Sequence, residues 1–246
     1  KPFVIEWEKN NLPAILVQWY AGEQAGNSIA DILFGEVVPS GRLTFSFPRS
    51  TGHLPVYYNY LPSDRGFYKN PGSYDSPGRD YVFSAPSALY SFGYGLSYTT
   101  FEYGDMSVAE NATDGEVAGY DVTFTVTNTG DVAGSEVAQV YLGEAQVPKG
   151  IQTSKYALAG YEKVKDIQPG ETREVTVHVS GRSLSYWNSN QEELNVNADG
   201  TKDKWTLATG ERKIYVGSSS DKLLMEKTVD VEKQTNSIDM VKQGLS

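Results

Sequence analysis

The chain has 246 residues, of which 39% are hydrophobic and 21% charged, a composition typical of a globular protein with one large or two ordinary domains. Its formal net charge of −10 disfavours nucleic acid and anionic membranes as partners, because both bind mainly through clustered Lys and Arg. The chain has no cysteine, which excludes disulfides and thiolate chemistry, and no apolar run approaches the roughly 20 residues that a bilayer-spanning helix needs.

The first forty residues follow the order strand, turn, helix. The apolar run PAILVQWY at residues 13–20 is typical of a strand that is buried on both faces of a parallel sheet. Helical spacing then places four residues on one face: Ala25, Ile29, Ile32 and Leu33. Gly35 marks the end of that helix. We expect half of a βαβ unit at the end of a larger α/β domain, with a buried strand of a mixed sheet as the alternative.

The segment from Val56 to Phe83, named the aromatic segment below, has no clear periodicity. It is rich in Pro, Gly, Ser and Asp, which favour turns, and it holds eight Tyr or Phe side chains. Segments of this length without secondary structure are usually functional or form interfaces in compact proteins. We therefore expect this segment to carry binding residues or to contact another part of the protein.

Beyond Gly104 the apolar residues alternate with polar ones, which predicts β-strands. Three strands place their apolar residues on one face each: Tyr120, Val122, Phe124 and Val126; Val175, Val177 and Val179; Ile214 and Val216. Short strands separated by Asn-Thr-Gly, Pro-Gly and Asp-Gly turns favour an antiparallel β-sandwich of about a hundred residues. The predicted domains are 1–103 and 104–232, and residues 233–246 are predicted to form a tail.

Metal-binding and triad motifs are weak in this sequence. The two histidines, His53 and His178, are far apart, and without cysteine the ligand spacing of a zinc site is missing. His178 alternates with inward-facing valines, which predicts an exposed strand residue. Residues 195–203 resemble the first half of a calcium loop, but Thr206 stands where that loop needs Glu, so a β-turn is favoured. No Gly-x-Ser-x-Gly motif is present to mark a serine nucleophile.

Several separated motifs resemble one family, in the correct order along the chain. They are AILVQWYAGEQAGNSIADILFGEVVPSGRLTFSFPRSTGHLPVYYN, ALYSFGYGLSYTTFEY, VTNTGDVAGSEVAQVYL, ALAGYEKVKDIQPGETREVTVHV and YVGSSSDKL. Together they resemble the C-terminal half of glycoside hydrolase family 3, the β-glucosidases and β-xylosidases. The resemblance implies a partial α/β-sandwich domain followed by a fibronectin type III-like antiparallel β-sandwich. The glycine- and aromatic-rich stretch YSFGYGLSYTTF at residues 90–101 would be the exit between them.

The resemblance implies an exo-acting, retaining β-glycosidase without a cofactor or metal, most consistent with a β-glucosidase. The family's nucleophile Asp and acid/base Glu lie in motifs that this chain lacks, so no catalytic residue is assigned. The expected partners are a carbohydrate substrate and the missing N-terminal barrel-like and α/β portion of the same enzyme, not nucleic acid or membrane. A secreted or periplasmic location is favoured. The alternatives are a β-xylosidase or a detached, non-catalytic carbohydrate-binding or assembly module.

Residues 64–83 of the aromatic segment supply the candidate sugar contacts. Aromatic rings stack on pyranose rings, and Arg or Asp binds hydroxyls through charge-assisted hydrogen bonds. On this basis the predicted substrate-binding residues are Tyr68, Arg79, Asp80 and Tyr81, with packing against the missing portion as the alternative. Glu23 begins a predicted helix and is expected to be a first-turn carboxylate rather than a ligand contact.

Overall fold

The computed structural model describes residues 3–61, 75, 87–111, 119–188, 195–196, 202–203 and 205–232. In these residues, helices and irregular segments up to residue 100 precede a set of antiparallel sheets that begins at residue 101. This order confirms the predicted fold class, in which a part with helices precedes an antiparallel β-sandwich.

The N-terminal part holds two short α-helices, α1 (Glu6–Asn11) and α2 (Ala25–Leu33), and 3-10 turns at Gly22–Gln24 and Thr51–His53. Helix α2 confirms the predicted helix and its end. Gly35 takes a φ of 84°, a backbone conformation that glycine adopts without a Cβ clash, and its N–H donates to the Ile32 carbonyl at 3.1 Å. Ile29 and Ile32 are half-buried, but Leu33 is 64% exposed, so the predicted apolar face is only partly covered.

The predicted buried strand at residues 13–20 is wrong for this chain. The segment forms neither helix nor strand, and its large apolar side chains reach the surface. Leu16 is 44% exposed, Trp19 41% and Tyr20 fully exposed. A parallel strand needs hydrogen-bonded neighbours on its edges and cover on both faces, and the described residues supply neither to this segment.

Residues 43–47 pair instead with residues 89–94. The N–H of Phe47 donates to the Tyr90 carbonyl at 2.8 Å, and the N–H of Leu89 returns a bond to the Phe47 carbonyl at 2.8 Å. Further along, the N–H of Leu43 donates to Tyr94 at 2.9 Å. Phe47 is 1% exposed and Leu89 3% exposed, so this short pairing forms the buried part of the N-terminal region.

The β-sandwich contains two main sheets. Its strands are β1 (Phe101–Asn111), β2 (Gly119–Asn128), β3 (Gly134–Gly143), β4 (Tyr156–Ile167), β5 (Thr172–Val179), β6 (Ser185–Trp187), β7 (Asn195–Val196), β8 (Lys202–Asp203), β9 (Trp205–Leu207), β10 (Gly210–Ser219) and β11 (Lys222–Val231). One sheet has the order β1-β2-β5 and the other β11-β10-β3-β4, while β6 pairs with β9 and β7 with β8. All these pairs are antiparallel, which removes the need for crossover helices.

The inward faces of the two main sheets form the core. The predicted alternation is confirmed, because Val122, Phe124, Val126, Val179, Ile214 and Val216 are all 0% exposed. Burying a side chain of this kind contributes roughly 1.5–3 kcal/mol, so the sandwich has a core of its own. His178 lies on the outward face of β5, as its position in the alternation predicted.

Strand β1 begins at Phe101, three residues before the predicted domain boundary at Gly104. The division into 1–103 and 104–232 stays a prediction. The predicted tail, residues 233–246, lies outside the described residues.

Candidate functional site

The four predicted sugar contacts, Tyr68, Arg79, Asp80 and Tyr81, lie outside the described residues. The structure does describe the start of the aromatic segment and the residues that follow its end. Both places are held by contacts that the sequence analysis did not predict. They fix where the aromatic segment leaves and rejoins the rest of the protein.

Tyr58 attaches the start of the aromatic segment to the β-sandwich. Its ring stacks on Phe92 with centroids 4.3 Å apart and meets the edge of Tyr141 at 6.1 Å. The backbone N–H of Leu158 donates to the Tyr58 hydroxyl oxygen at 3.1 Å. Burial raises the pKa of Tyr58, and the hydrogen bond from Leu158 partly opposes that rise.

A group of tyrosines continues from this contact into the sandwich. The rings of Tyr141 and Tyr156 meet edge to face with centroids 6.2 Å apart. Burial raises the pKa of both phenols, and burial together with nearby Tyr156 raises the pKa of Tyr60 to about 12. These phenols are therefore neutral near pH 7, where they can exchange hydrogen bonds but cannot serve as bases.

Arg49 holds the chain just beyond the aromatic segment. Its Nε donates to the Ser87 carbonyl at 2.9 Å, and its Nη2 donates to the Ser87 hydroxyl at 3.3 Å and the Ala88 carbonyl at 3.4 Å. Its Nη1 pairs with Glu6 at 3.2 Å. A planar guanidinium can bind several oxygens in this way. No local pattern in the sequence signals these contacts, because they join residues 38 to 43 positions apart.

Lys9 reinforces the same place from helix α1. Its Nζ donates to the Leu89 carbonyl at 2.9 Å and lies 4.8 Å from the centroid of the Tyr90 ring. Both contacts satisfy the ammonium group, the second by cation–π attraction. Helix α1 is thereby attached to the pairing between residues 43–47 and 89–94.

Gln139 joins the glycine- and aromatic-rich stretch to the sandwich. Its side chain is buried, and Nε2 donates to the carbonyls of Gly93 at 3.1 Å and Ser218 at 2.7 Å. Its Oε1 accepts a hydrogen bond from the Tyr141 hydroxyl at 2.5 Å. A Cβ on Gly93 would overlap this carboxamide, and Gly93 takes a φ of 81°. The glycine therefore permits both the turn and the close approach, as expected for an exit between domains.

A buried ion pair also crosses the contact between the N-terminal part and the β-sandwich, which is called the joint from here on. Arg42 Nη2 lies 2.7 Å from Glu136 Oε2, and the two side chains are 8% and 4% exposed. Glu136 Oε1 also accepts the backbone N–H of Val137 at 2.9 Å. Glu136 is the one buried carboxylate among the described residues. Because its side chain is only 4% exposed and is paired with a guanidinium, a substrate cannot reach it as a nucleophile or proton donor.

Three other residues singled out in the sequence are Glu23, His53 and His178. Glu23 is exposed in the 3-10 turn that leads into α2, and its role stays a prediction. His53 is buried, and its Nδ1 accepts the backbone N–H of Arg49 at 3.3 Å. His178 Nδ1 lies 2.9 Å from an oxygen of Asp121.

In the part of the chain that the structure describes, no group of three or more His, Asp or Glu side chains is arranged to hold a metal ion. Within the same ranges, no helix has the length and apolar character needed to cross a bilayer.

Two family descriptions match the chain. Residues 1–98 match the glycosyl hydrolase family 3 C-terminal domain, and residues 136–220 match a fibronectin type III-like domain. The first match holds the start of the aromatic segment, Arg42 and Arg49. The second holds Glu136, Gln139, Tyr141 and Leu158, so the contacts of the joint connect the two matched regions.

Curated relatives agree with these matches. The chain is 39% identical over 191 residues to a periplasmic β-glucosidase of Salmonella typhimurium, an alignment that covers 76% of the chain and 24% of the relative. It is 34% identical to the probable β-glucosidase K of Emericella nidulans, an alignment that covers 95% of this chain and 25% of the relative. It is 36% identical to a β-xylosidase of Formosa agariphila, an alignment that covers 79% of this chain and 25% of the relative. The chain thus spans about a quarter of the length of these relatives.

Solved structures share the fold. A mutant β-glucosidase from Listeria innocua in complex with laminaribiose superposes with a TM-score of 0.75 at 32% identity, covering 96% of this chain and 30% of that one. β-Glucosidase 3B from Thermotoga neapolitana in complex with glucose gives a TM-score of 0.68 at 31% identity, covering 94% of this chain and 30% of that one. With both matched regions in the family's order and a shared fold across the joint, the chain belongs to glycoside hydrolase family 3, as its C-terminal region with the fibronectin type III-like domain.

Proposed function

We propose that the chain is the C-terminal portion of an exo-acting, retaining β-glycosidase, with β-glucosidase as the favoured activity. The observation that carries this proposal is the match of residues 1–98 to the family's C-terminal domain, in a chain whose relatives include several β-glucosidases. The complete enzyme would release a terminal, non-reducing β-D-glucosyl residue by double displacement, without a cofactor.

The chemistry requires carboxyl groups that this chain does not supply. A retaining glycosidase uses a nucleophile and a general acid/base about 5–5.5 Å apart. The family's motifs for these groups are missing from the sequence, and Glu136 is held by Arg42. We therefore assign both catalytic groups to the N-terminal portion of the same enzyme and give this chain a supporting and substrate-contacting role.

The partner in this proposal is that N-terminal barrel-like and α/β portion. The first forty residues expose large apolar side chains: Phe3, Trp7, Leu12, Leu16, Trp19, Tyr20, Leu33 and Phe34 are 41–103% exposed. Exposed apolar surface of this extent usually marks an interface. A partner that adds strands beside residues 13–20 would cover it and give the apolar run the neighbours that it lacks.

The aromatic segment is the proposed sugar-contacting element. Tyr68 and Tyr81 would stack on the pyranose ring, while Arg79 and Asp80 would hold its hydroxyls. The anchoring of both ends by Tyr58 and Arg49 supports this assignment, because a binding segment needs a fixed base.

A β-xylosidase is the second candidate, and the relatives from Formosa agariphila and Xylanibacter ruminicola favour it, since both are named as xylosidases. Glucose and xylose differ by one hydroxymethyl group, so contacts in the sugar site would decide between the two activities. The detached, non-catalytic module remains as an outcome of the experiment.

The experiment assays the purified chain with a chromogenic β-glucoside and a β-xyloside, alone and after co-expression with a family 3 N-terminal portion. We expect no turnover by the chain alone and faster turnover of the glucoside than of the xyloside by the two-chain complex. Faster turnover of the xyloside would favour the second candidate. A stable complex without turnover of either substrate would refute the catalytic proposal and favour the non-catalytic module.

A further inference from the structure

A shallow cleft of about 370 Å³ lies beside the β6–β9 ribbon. Its lining includes Gln146, Val147, Pro148, Tyr186, Thr206 and Thr209, and none of the described residues that line it carries a charge. Its volume is within the range of about 300–1,000 Å³ that is common for small-molecule sites. None of these residues belongs to the aromatic segment or to its anchors, so the cleft is separate from the candidate site above.

The cleft has a packed floor. Tyr186 and Thr206 are directly opposed in the β6–β9 pair, so their side chains lie on the same face of the ribbon. Tyr186 is 9% exposed and packs in a small apolar cluster with Ala145 and Ala208. The N–H of Ala145 donates to the Thr153 hydroxyl at 3.1 Å, which fixes the neighbouring loop.

Gly210 brings the start of strand β10 close to the rim. A Cβ at this position would lie 2.7 Å from Gln146 Oε1, and Gly210 takes a φ of 99°. The glycine thus leaves room for the Gln146 carboxamide at the edge of the cleft. The other hydrogen-bonding side chains among the described lining residues are the Tyr186 phenol and the hydroxyls of Thr206 and Thr209, which can donate and accept.

These groups indicate the kind of ligand that fits. A carboxamide and hydroxyls, set among Val147, Pro148 and a tyrosine, complement a molecule that has many hydroxyls, some apolar C–H surface and no charge. An anion would be repelled by a chain of net charge −10, and a cation would find no carboxylate among the described lining residues. We propose that the β6–β9 cleft is a second carbohydrate site, which binds one or two units of a neutral β-linked oligosaccharide.

The test uses the full 246-residue chain and measures binding alone, so it does not depend on the proposed catalysis. Cellotriose and xylotriose are titrated at millimolar concentration by isothermal calorimetry, with trigalacturonic acid as a charged comparison. We expect saturable binding of at least one neutral trisaccharide and no binding of the charged one. Gln146→Leu and Thr209→Val should each weaken binding roughly three- to tenfold, the effect of losing one hydrogen bond.

Two control variants locate the site. Thr228→Val makes the same change as Thr209→Val at an exposed position of β11, and it should leave binding unchanged. Trp187→Ala removes a side chain that is 51% exposed and follows Tyr186 on β6, so it points to the opposite face of the ribbon. Binding that is lost in Trp187→Ala but kept in both cleft variants would overturn the assignment, as would the absence of saturable binding by the unaltered chain.

Discussion

Replacing Arg42 by methionine removes one partner of the buried ion pair across the joint. The pair is 2.7 Å long, and its side chains are 8% and 4% exposed, so solvent screens it little. Methionine leaves the Glu136 carboxylate buried beside the Tyr103 phenol, with the Val137 N–H still donating to it. Removing one member of such a pair costs about 3–5 kcal/mol, because the other charge stays desolvated. In a chain of this size that loss corresponds to a fall in Tm of roughly 6–20 °C.

Thermal and urea unfolding followed by far-UV circular dichroism measure this loss. The double variant Arg42→Met, Glu136→Met should recover most of the stability, because an apolar pair of similar volume carries no desolvation cost. Lys213→Met breaks the exposed pair with Glu226, whose side chains are 51% and 56% exposed, and should leave Tm nearly unchanged. A loss in Arg42→Met no larger than in Lys213→Met, or a double variant as unstable as the single one, would refute the reasoning.

Three further predictions concern other described positions. Gly93→Ala should lower Tm by several degrees, because the new Cβ would overlap the Gln139 carboxamide and the backbone φ is 81°. Gly22→Ala is the control: its φ is 73° but the space around it is open, so it should show only the cost of backbone strain. The pKa of Asp121 is lowered mainly by a hydrogen bond from Asn111 and next by one with His178. The ionised Asp121 therefore stabilises the fold above the ordinary carboxyl pKa of about 3.9, and this stabilisation is lost as the pH falls through the lower pKa of the folded state. The difference in urea midpoint between the unaltered chain and Asp121→Asn should therefore shrink between about pH 5 and about pH 2, and a constant difference would contradict this assignment. Arg212 is 8% exposed, its Nε and Nη1 are buried without a hydrogen-bond partner, and burial lowers its pKa to about 10. Replacing it by methionine removes this desolvated charge, so Arg212→Met should raise Tm. A fall in Tm would show that the charge is compensated.

The sequence alone determined the strands of the β-sandwich. In β2, β5 and β10 the side-chain period of two decides which residues face inward, and Val122, Val177 and Ile214 are buried as that pattern required. Helix α2 followed from its spacing and from Gly35 in the same way. Local patterns suffice for such elements, because each one buries a face that it carries itself.

The tertiary structure decided what the other segments do. The apolar run at residues 13–20 reads as a buried strand, but a strand also needs neighbours, and in this chain it stays exposed and unpaired within the described residues. Arg42 meets Glu136 across 94 positions, and Tyr58 meets Leu158 across 100, so neither contact leaves a local signal. The predicted sugar contacts lie outside the described residues, but Tyr58 and Arg49, which hold the two ends of their segment, could be found only when folding brought distant parts of the chain together.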